Sequence, residues 1–235
     1  MNDHSHRNTR ALLEVKDLTL YFPRQQRAAV QRVSFSIPSG STLGLVGGSG
    51  AGKSSIARLV MRLIEADAGE ILYRGTDIAK MDTRQLFRYR QNVQIVFQEP
   101  SASLSPRRTV QQTLLEPLKH FVIGDAEHRR QKIRETLSTV GLDDTTLQRY
   151  PHQLSSGQQQ RVAIARALVS DPELVIADEA VASLDVSIQA QILQLIRSLQ
   201  DERGIAFLFI SHDLGVIRQI ADQVGVMYRG RLVEQ

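Results

Sequence analysis

Cysteine is absent from the 235 residues. That excludes disulfides, cysteine-ligated zinc and cysteine-ligated iron–sulfur clusters. Tryptophan is absent as well, and aromatic residues make up only 5% of the chain. A surface of stacked aromatics for single-stranded nucleic acid is therefore not expected. No run approaches the roughly 20 consecutive apolar residues that a membrane-spanning helix needs. Met1 to Arg10 is polar and lacks the apolar stretch of a secretory signal. His4 and His6 in this tail read as part of a disordered terminus rather than a metal site. Internal repeats and low-complexity segments are also missing. These absences describe a cytoplasmic chain that does not cross a bilayer by itself.

What is present fits a globular protein. Hydrophobic residues make up 42% and charged residues 23%. The length suits one large domain or two small ones, with a core that needs no metal or disulfide staple. Lys+Arg outnumber Asp+Glu by 29 to 25, a formal charge of +4. The basic clusters at Arg84, Arg88 and Arg90, at Arg107 and Arg108, and at Arg129, Arg130, Lys132 and Arg134 read as solvated helix faces.

Leu13 to Phe22 partly alternates apolar and polar residues, and Val33 to Ile37 alternates strictly. Both predict strands with one wet face, typical of antiparallel sheet. Leu43–Val46, Val93–Phe97, Leu174–Ala177 and Ile205–Ile210 are short and wholly apolar apart from Gly44 and Gln94, which suits strands buried on both faces of a parallel sheet. Apolar stripes predict helices over Lys53–Ile64 and around Ile188–Leu199, the latter ended by Gly204. Strands alternating with helices give an α/β fold. Glu99 to Asp171 breaks the rhythm, with helical periodicity and no convincing strand. It reads as a helical subdomain inserted into the core. The predicted division is a tail over 1–10, a core over 11–98 and 172–235, and a helical subdomain over 99–171.

Gly47-Gly48-Ser49-Gly50-Ala51-Gly52-Lys53-Ser54 fits G-x-x-x-x-G-K-[ST] at every fixed position. It follows an apolar strand and opens an apolar-striped helix, the context that gives the motif its meaning. Glycines let successive N–H groups point at one anion, and the helix adds the positive end of its dipole. Lys53 is expected on the β- and γ-phosphates of a nucleotide and Ser54 on Mg²⁺. Ser55 completes the predicted nucleotide-binding stretch. Leu174 to Ala177 ends in Asp178-Glu179. Asp178 is expected on Mg²⁺, and Glu179 is placed to polarise an attacking water.

Three further segments carry a family resemblance. Leu154-Ser155-Ser156-Gly157-Gln158 resembles the LSGGQ signature of ATP-binding-cassette (ABC) ATPases. Gln98 resembles the glutamine of that family's Q-loop, and His212 its switch histidine. Ala182-Ser183-Leu184-Asp185 is similar to the D-loop. Phe22, or its neighbour Tyr21, occupies the place of the aromatic that stacks on adenine. The motifs stand in family order over nearly the whole chain.

The resemblance implies a P-loop NTPase with a RecA-like mixed core, an N-terminal antiparallel β subdomain and an inserted helical subdomain. It implies two cassettes paired head to tail around two ATP molecules. Each site would use the phosphate loop, Asp178, Glu179, Gln98 and His212 of one cassette. Ser155, Gly157 and Gln158 of the opposite cassette would complete it, with Asp185 beside the junction. Gln98 would sense both nucleotide and Mg²⁺. Val93 to Arg108 and the Ala180-Val181 pair resemble importers of peptides, glutathione, nickel and opine-type solutes. That group implies a second ATPase subunit, the same or different, two transmembrane permeases, and indirectly a solute-binding protein. It places the chain peripherally on the inner face of the cell membrane, with Glu99–Arg108 as the candidate permease contact. A non-transport ABC ATPase acting on DNA or ribosomes, or a regulatory cassette that only binds ATP, is the alternative. No nucleic acid is expected, since the chain shows no long coiled-coil pattern, and Glu179 and His212 argue against a cassette that only binds ATP. Ser156 stands where the signature has its first glycine. Its side chain adds either crowding or one more hydrogen bond at a close approach. An unchanged ATPase rate in Ser156→Gly would remove that reading.

Overall fold

The computed structural model describes residues 11–22, 27–99 and 103–234. His4, His6 and Gln235 lie outside the described residues, as does part of the candidate permease contact. Two sheets organise the chain. The first has the order β2-β1-β4-β5. It is built from β1 (Ala11–Leu20), β2 (Val30–Pro38), β4 (Ala68–Tyr73) and β5 (Thr76–Asp77), with antiparallel neighbours throughout. The second has the order β10-β9-β3-β8-β7-β6. It comprises β3 (Thr42–Val46), β6 (Val93–Val96), β7 (Leu174–Asp178), β8 (Ala206–Ser211), β9 (Gln223–Tyr228) and β10 (Arg231–Glu234). All its pairings are parallel except β9–β10.

The short apolar runs form this second sheet because both of its faces are covered. β3 and β8 are buried at every position. Side chains alternate between two cores, as the period of two requires. Phe207 and Phe209 enter one core with Val175 and Ala177. Ala206, Leu208 and Ile210 enter the other with Leu174 and Ile176. Deleting one such side chain to alanine costs about 3–5 kcal/mol for a phenylalanine.

The α-helices among the described residues are α1 (Lys53–Val60), α2 (Thr83–Asn92), α3 (Val110–His120), α4 (Ala126–Thr139), α5 (Ser156–Leu168), α6 (Val186–Arg203) and α7 (Leu214–Ile220). Between β6 and β7 the described elements are all helical: α3, α4 and α5, with two short 3-10 turns.

Several elements differ from expectation. α1 stops at Val60 instead of Ile64, because the chain reverses at Arg62 (φ 50°). The Arg62 guanidinium donates to the carbonyls of Ala79 and Met81, and Leu63 is left at the surface. The antiparallel sheet takes β4 and β5 from beyond α1, so it is only partly N-terminal in sequence. α2 was expected only as a solvated helix face at Arg84, Arg88 and Arg90, without bounds, although Asp82-Thr83-Arg84-Gln85 forms a reciprocal cap at its start.

Candidate functional site

β3 ends at Val46, the loop runs from Gly47 to Gly52, and α1 starts at Lys53. Two loop glycines are fixed by space, and Gly52 by its backbone conformation as well. A Cβ on Gly52 (φ 102°) would lie 2.3 Å from the Ala29 carbonyl oxygen, and one on Gly47 would lie 2.3 Å from that of Met227. The Gly230 N–H holds the loop from the other side through the Ala51 carbonyl, at 3.0 Å. Of the seven α-helices among the described residues, α1 alone has no side-chain cap. Its first-turn N–H groups lack intrahelical acceptors and face a concave loop, the arrangement that receives an anion.

Lys53 is the cation of this loop. Its side chain is only 4% exposed, and it donates to the carbonyls of Gly47 (2.8 Å) and Gly48 (3.2 Å). A buried ammonium held chiefly by neutral carbonyls is poised for an anionic partner. The nearest carboxylate is Glu179, at 3.8 Å.

The acidic pair reaches the loop because β7 and β8 run side by side. Asp178 lies opposite Ile210, so Glu179 and His212 leave adjacent strand ends. Glu179 has φ 51°, and its N–H donates to the Ile210 carbonyl at 2.9 Å. That strained turn is uncommon for a non-glycine residue. It coincides with the Glu179 carboxylate lying 3.2 Å from His212 Nδ1. Ser54 Oγ donates to Asp178 Oδ1 at 3.2 Å. Burial raises the Asp178 pKa; the Ser54 hydroxyl works against that, the Glu179 charge adds to it, and Lys53 and Arg58 oppose it.

One cleft of about 1390 Å³ has Gly48 to Ser55, Gln98, Glu179 and His212 in its wall, whereas Gly47 is not in the wall and Asp178 lines an adjoining cavity. Phe22 lines it too, whereas Tyr21 is half exposed and absent from the wall. Gln98 also lines an adjoining cavity with Ser54 and Asp178. Arg27, Ala28, Ala29, Arg229 and Gly230 complete the cleft. These five were not foreseen. Arg229-Gly230 forms the β9–β10 turn, and only the turn itself was readable in sequence.

Ser155, Gly157, Gln158 and Asp185 are not in this cleft. Ser155 caps α5, accepting from the Gln158 N–H, while the Gln158 side chain accepts from the Ser155 N–H. Asp185 caps α6, accepting from the Ile188 N–H at 3.0 Å. A Cβ on Gly157 would lie 2.8 Å from Ile188 Cγ2, so this glycine lets α5 and α6 approach. Ser156 is exposed. The predicted residues therefore form two separate groups, a deep cleft and an exposed helix start.

Among the described residues no group of three or more His, Asp or Glu side chains is gathered as a metal cage. Ser54 and Asp178 nevertheless present two hard oxygen donors at the cleft. The raised pKa of Asp178 is the mark of a carboxylate whose charged form a cation would favour.

The sequence profile of the ABC transporter family matches residues 30–182. The chain belongs to this family. Within it, the chain is an ATP-hydrolysing enzyme that binds nucleotide. It is 46% identical over 237 residues to the oligopeptide transport ATP-binding protein AppF of Bacillus subtilis, covering 97% of this chain and 72% of that protein. It is 47% identical to OppF of the same organism, covering 96% of this chain and 75% of that protein. Among solved structures it resembles cbiO1 of Clostridium perfringens, part of the transporter complex cbiONQ. The TM-score is 0.86 at 27% identity, covering 96% of this chain and 88% of that one. It also resembles the dimeric cassette MJ0796, with a TM-score of 0.83 at 29% identity, covering 94% and 97%. Among the described residues no helix is long and apolar enough to cross a membrane.

Proposed function

We propose that this chain is the ATP-hydrolysing subunit of an importer of peptides or related small solutes, working at the inner face of a membrane on separate permease chains. The observation that carries it is the meeting of Lys53, Ser54 and the Glu179–His212 pair in one cleft, with Asp178 held against Ser54 from the adjoining cavity. The oligopeptide transport names of its relatives support the solute class.

In this reading the loop from Gly47 to Gly52 and the first turn of α1 bind the phosphates by backbone N–H groups. Lys53 exchanges its two carbonyl contacts for phosphate oxygens. Ser55 adds a donor at the same turn, and Phe22 packs on the base. Ser54 and Asp178, with Gln98, would hold Mg²⁺, which would neutralise charge developing on the phosphates. Glu179 accepts a proton from the attacking water, and His212 keeps the Glu179 carboxylate oriented while facing the γ-phosphate. A second cassette, a copy of this chain or a different one, docks head to tail and brings its own signature over this cleft. Ser155, Gly157 and Gln158 of this chain, beside Asp185, do the same for the partner. Loss of the γ-phosphate then removes what holds the two together. The core over 11–98 and 172–235 carries the cleft, and the helical subdomain over 99–171 carries the signature.

Glu179→Gln tests this. The variant is isosteric and keeps the strand end, so it binds ATP but turns over at least about 100-fold more slowly, and it accumulates as a pair with ATP trapped. Near-normal turnover would overturn the assignment of Glu179.

A further inference from the structure

Behind the Ser54–Asp178 pair lies a second cavity of about 440 Å³, whose wall includes Phe97, Gln98, Arg58 and Arg166. Arg166 belongs to α5, and its Nη1 donates to the Ser103 carbonyl at 2.6 Å. The Ser103 N–H donates in turn to the Glu99 carbonyl at 3.2 Å. Two hydrogen bonds thus lead from α5 to the residue beside Gln98. Burial pushes the Arg166 pKa down, with the Glu116 charge working against it. A cation moved out of water is held only where hydrogen bonds and opposite charge offset the lost hydration. Here the hydrogen bond goes to Ser103 on the loop that carries Gln98, and the opposite charge is Glu116 on α3.

The opposite end of α5 is the exposed turn at Ser155 and Ser156. The helix contains no proline between Ser156 and Leu168, so it is one unbroken element. Its first turn and Arg166 are roughly 16 Å apart. We propose that Arg166 is a positioning residue that ties the Gln98 loop to α5, so that docking of a second cassette on the first turn is felt at Gln98 in the same chain. This rests on the two-cassette reading above. It gives the two sites of a pair a direct mechanical link, from the partner's phosphate through α5 to this chain's own cleft.

Arg166→Met keeps the stem and removes the donors, whereas Arg166→Lys keeps the charge with different bonding geometry. Both are compared with wild type in the assembled ATPase. Three quantities are read: amide hydrogen exchange over residues 97–108, affinity for a fluorescent ATP analogue, and the kcat and KM of turnover. In Arg166→Met, exchange over 97–108 rises about tenfold or more, the scale of one lost charge-assisted bond. It stays unchanged over β7 and β8, affinity stays within about twofold, and kcat falls about tenfold. Arg166→Lys recovers part of both losses, and it carries the test alone should Arg166→Met fail to fold. Unchanged loop exchange with unchanged kcat overturns the proposal. So does a general rise in exchange with lost affinity, which would mark Arg166 as merely structural. Wild-type turnover that needs no second cassette would overturn the two-cassette reading itself, whatever Arg166 does.

Discussion

Two helices of this protein start on glycine- and serine-rich turns, and they start in opposite ways. α1 begins on Gly52, in a left-handed conformation, with no side chain to cap it. α5 begins on Ser155, whose hydroxyl accepts from the Gln158 N–H while Gln158 returns the bond. The first leaves donors over for a ligand, deep in a cleft and beside a buried lysine. The second already satisfies part of its own turn and lies exposed. A phosphate can bind to the first unaided. At the second it must compete with a cap the helix supplies itself, so that contact gains strength only when another group holds the phosphate in place. On the two-cassette reading, the difference teaches how one fold makes a complete binding site and only half of a catalytic one.

The largest expected effect is on the deep side. Lys53→Ala removes the one ammonium that lines the cleft among the described residues, and nucleotide affinity falls about 100-fold or more. Titration with a fluorescent ATP analogue reads it, and a loss under threefold would break the contrast between the two helix starts.

Asp178 gives a second, pH-dependent test. Its folded pKa lies above the unfolded value, chiefly through burial. The folded state therefore holds the proton more tightly. The associated stability is fully present at low pH and is lost as pH rises from the unfolded carboxylate range through the folded pKa. Asp178→Asn removes this penalty. The Tm of the nucleotide-free protein rises at neutral pH and changes less at acid pH, while stabilisation by ATP with Mg²⁺ shrinks. A lower nucleotide-free Tm at neutral pH would contradict this.

Ser155→Ala sharpens the comparison from the exposed side. It removes the α5 cap and costs about 1 kcal/mol in a denaturant melt. Nucleotide affinity of the separate chain is unaffected. Weakened binding there would mean that α5 and the cleft are not separate groups.

The phosphate loop was legible because every residue in it answers one local demand: backbone bending, a cation, a hydroxyl. β3, β7 and β8 were legible because burial on both faces leaves them almost wholly apolar, with Thr42, Asp178 and Ser211 only at their ends. Arg27, Ala28, Ala29, Arg229 and Gly230 were not, since they reach the cleft through chain reversals far from the motif. β4 was hidden because only Ile71 and Tyr73 of its six residues are buried. The length of α1 was overread because a continuing apolar stripe does not reveal the positive φ at Arg62. The role of Ser155 as a cap, on the other hand, stands in the sequence as Ser-x-x-Gln.

The central claim is that the exposed start of α5 serves a phosphate bound elsewhere. Ser156→Glu tests it most directly in the assembled ATPase. A carboxylate at the first helical position suits the α5 dipole, so folding is preserved or slightly improved. The same carboxylate would repel a phosphate brought to that turn. The account predicts nucleotide binding by the separate chain within about twofold of wild type and turnover of the pair lowered at least about tenfold. Wild-type turnover by Ser156→Glu would contradict it.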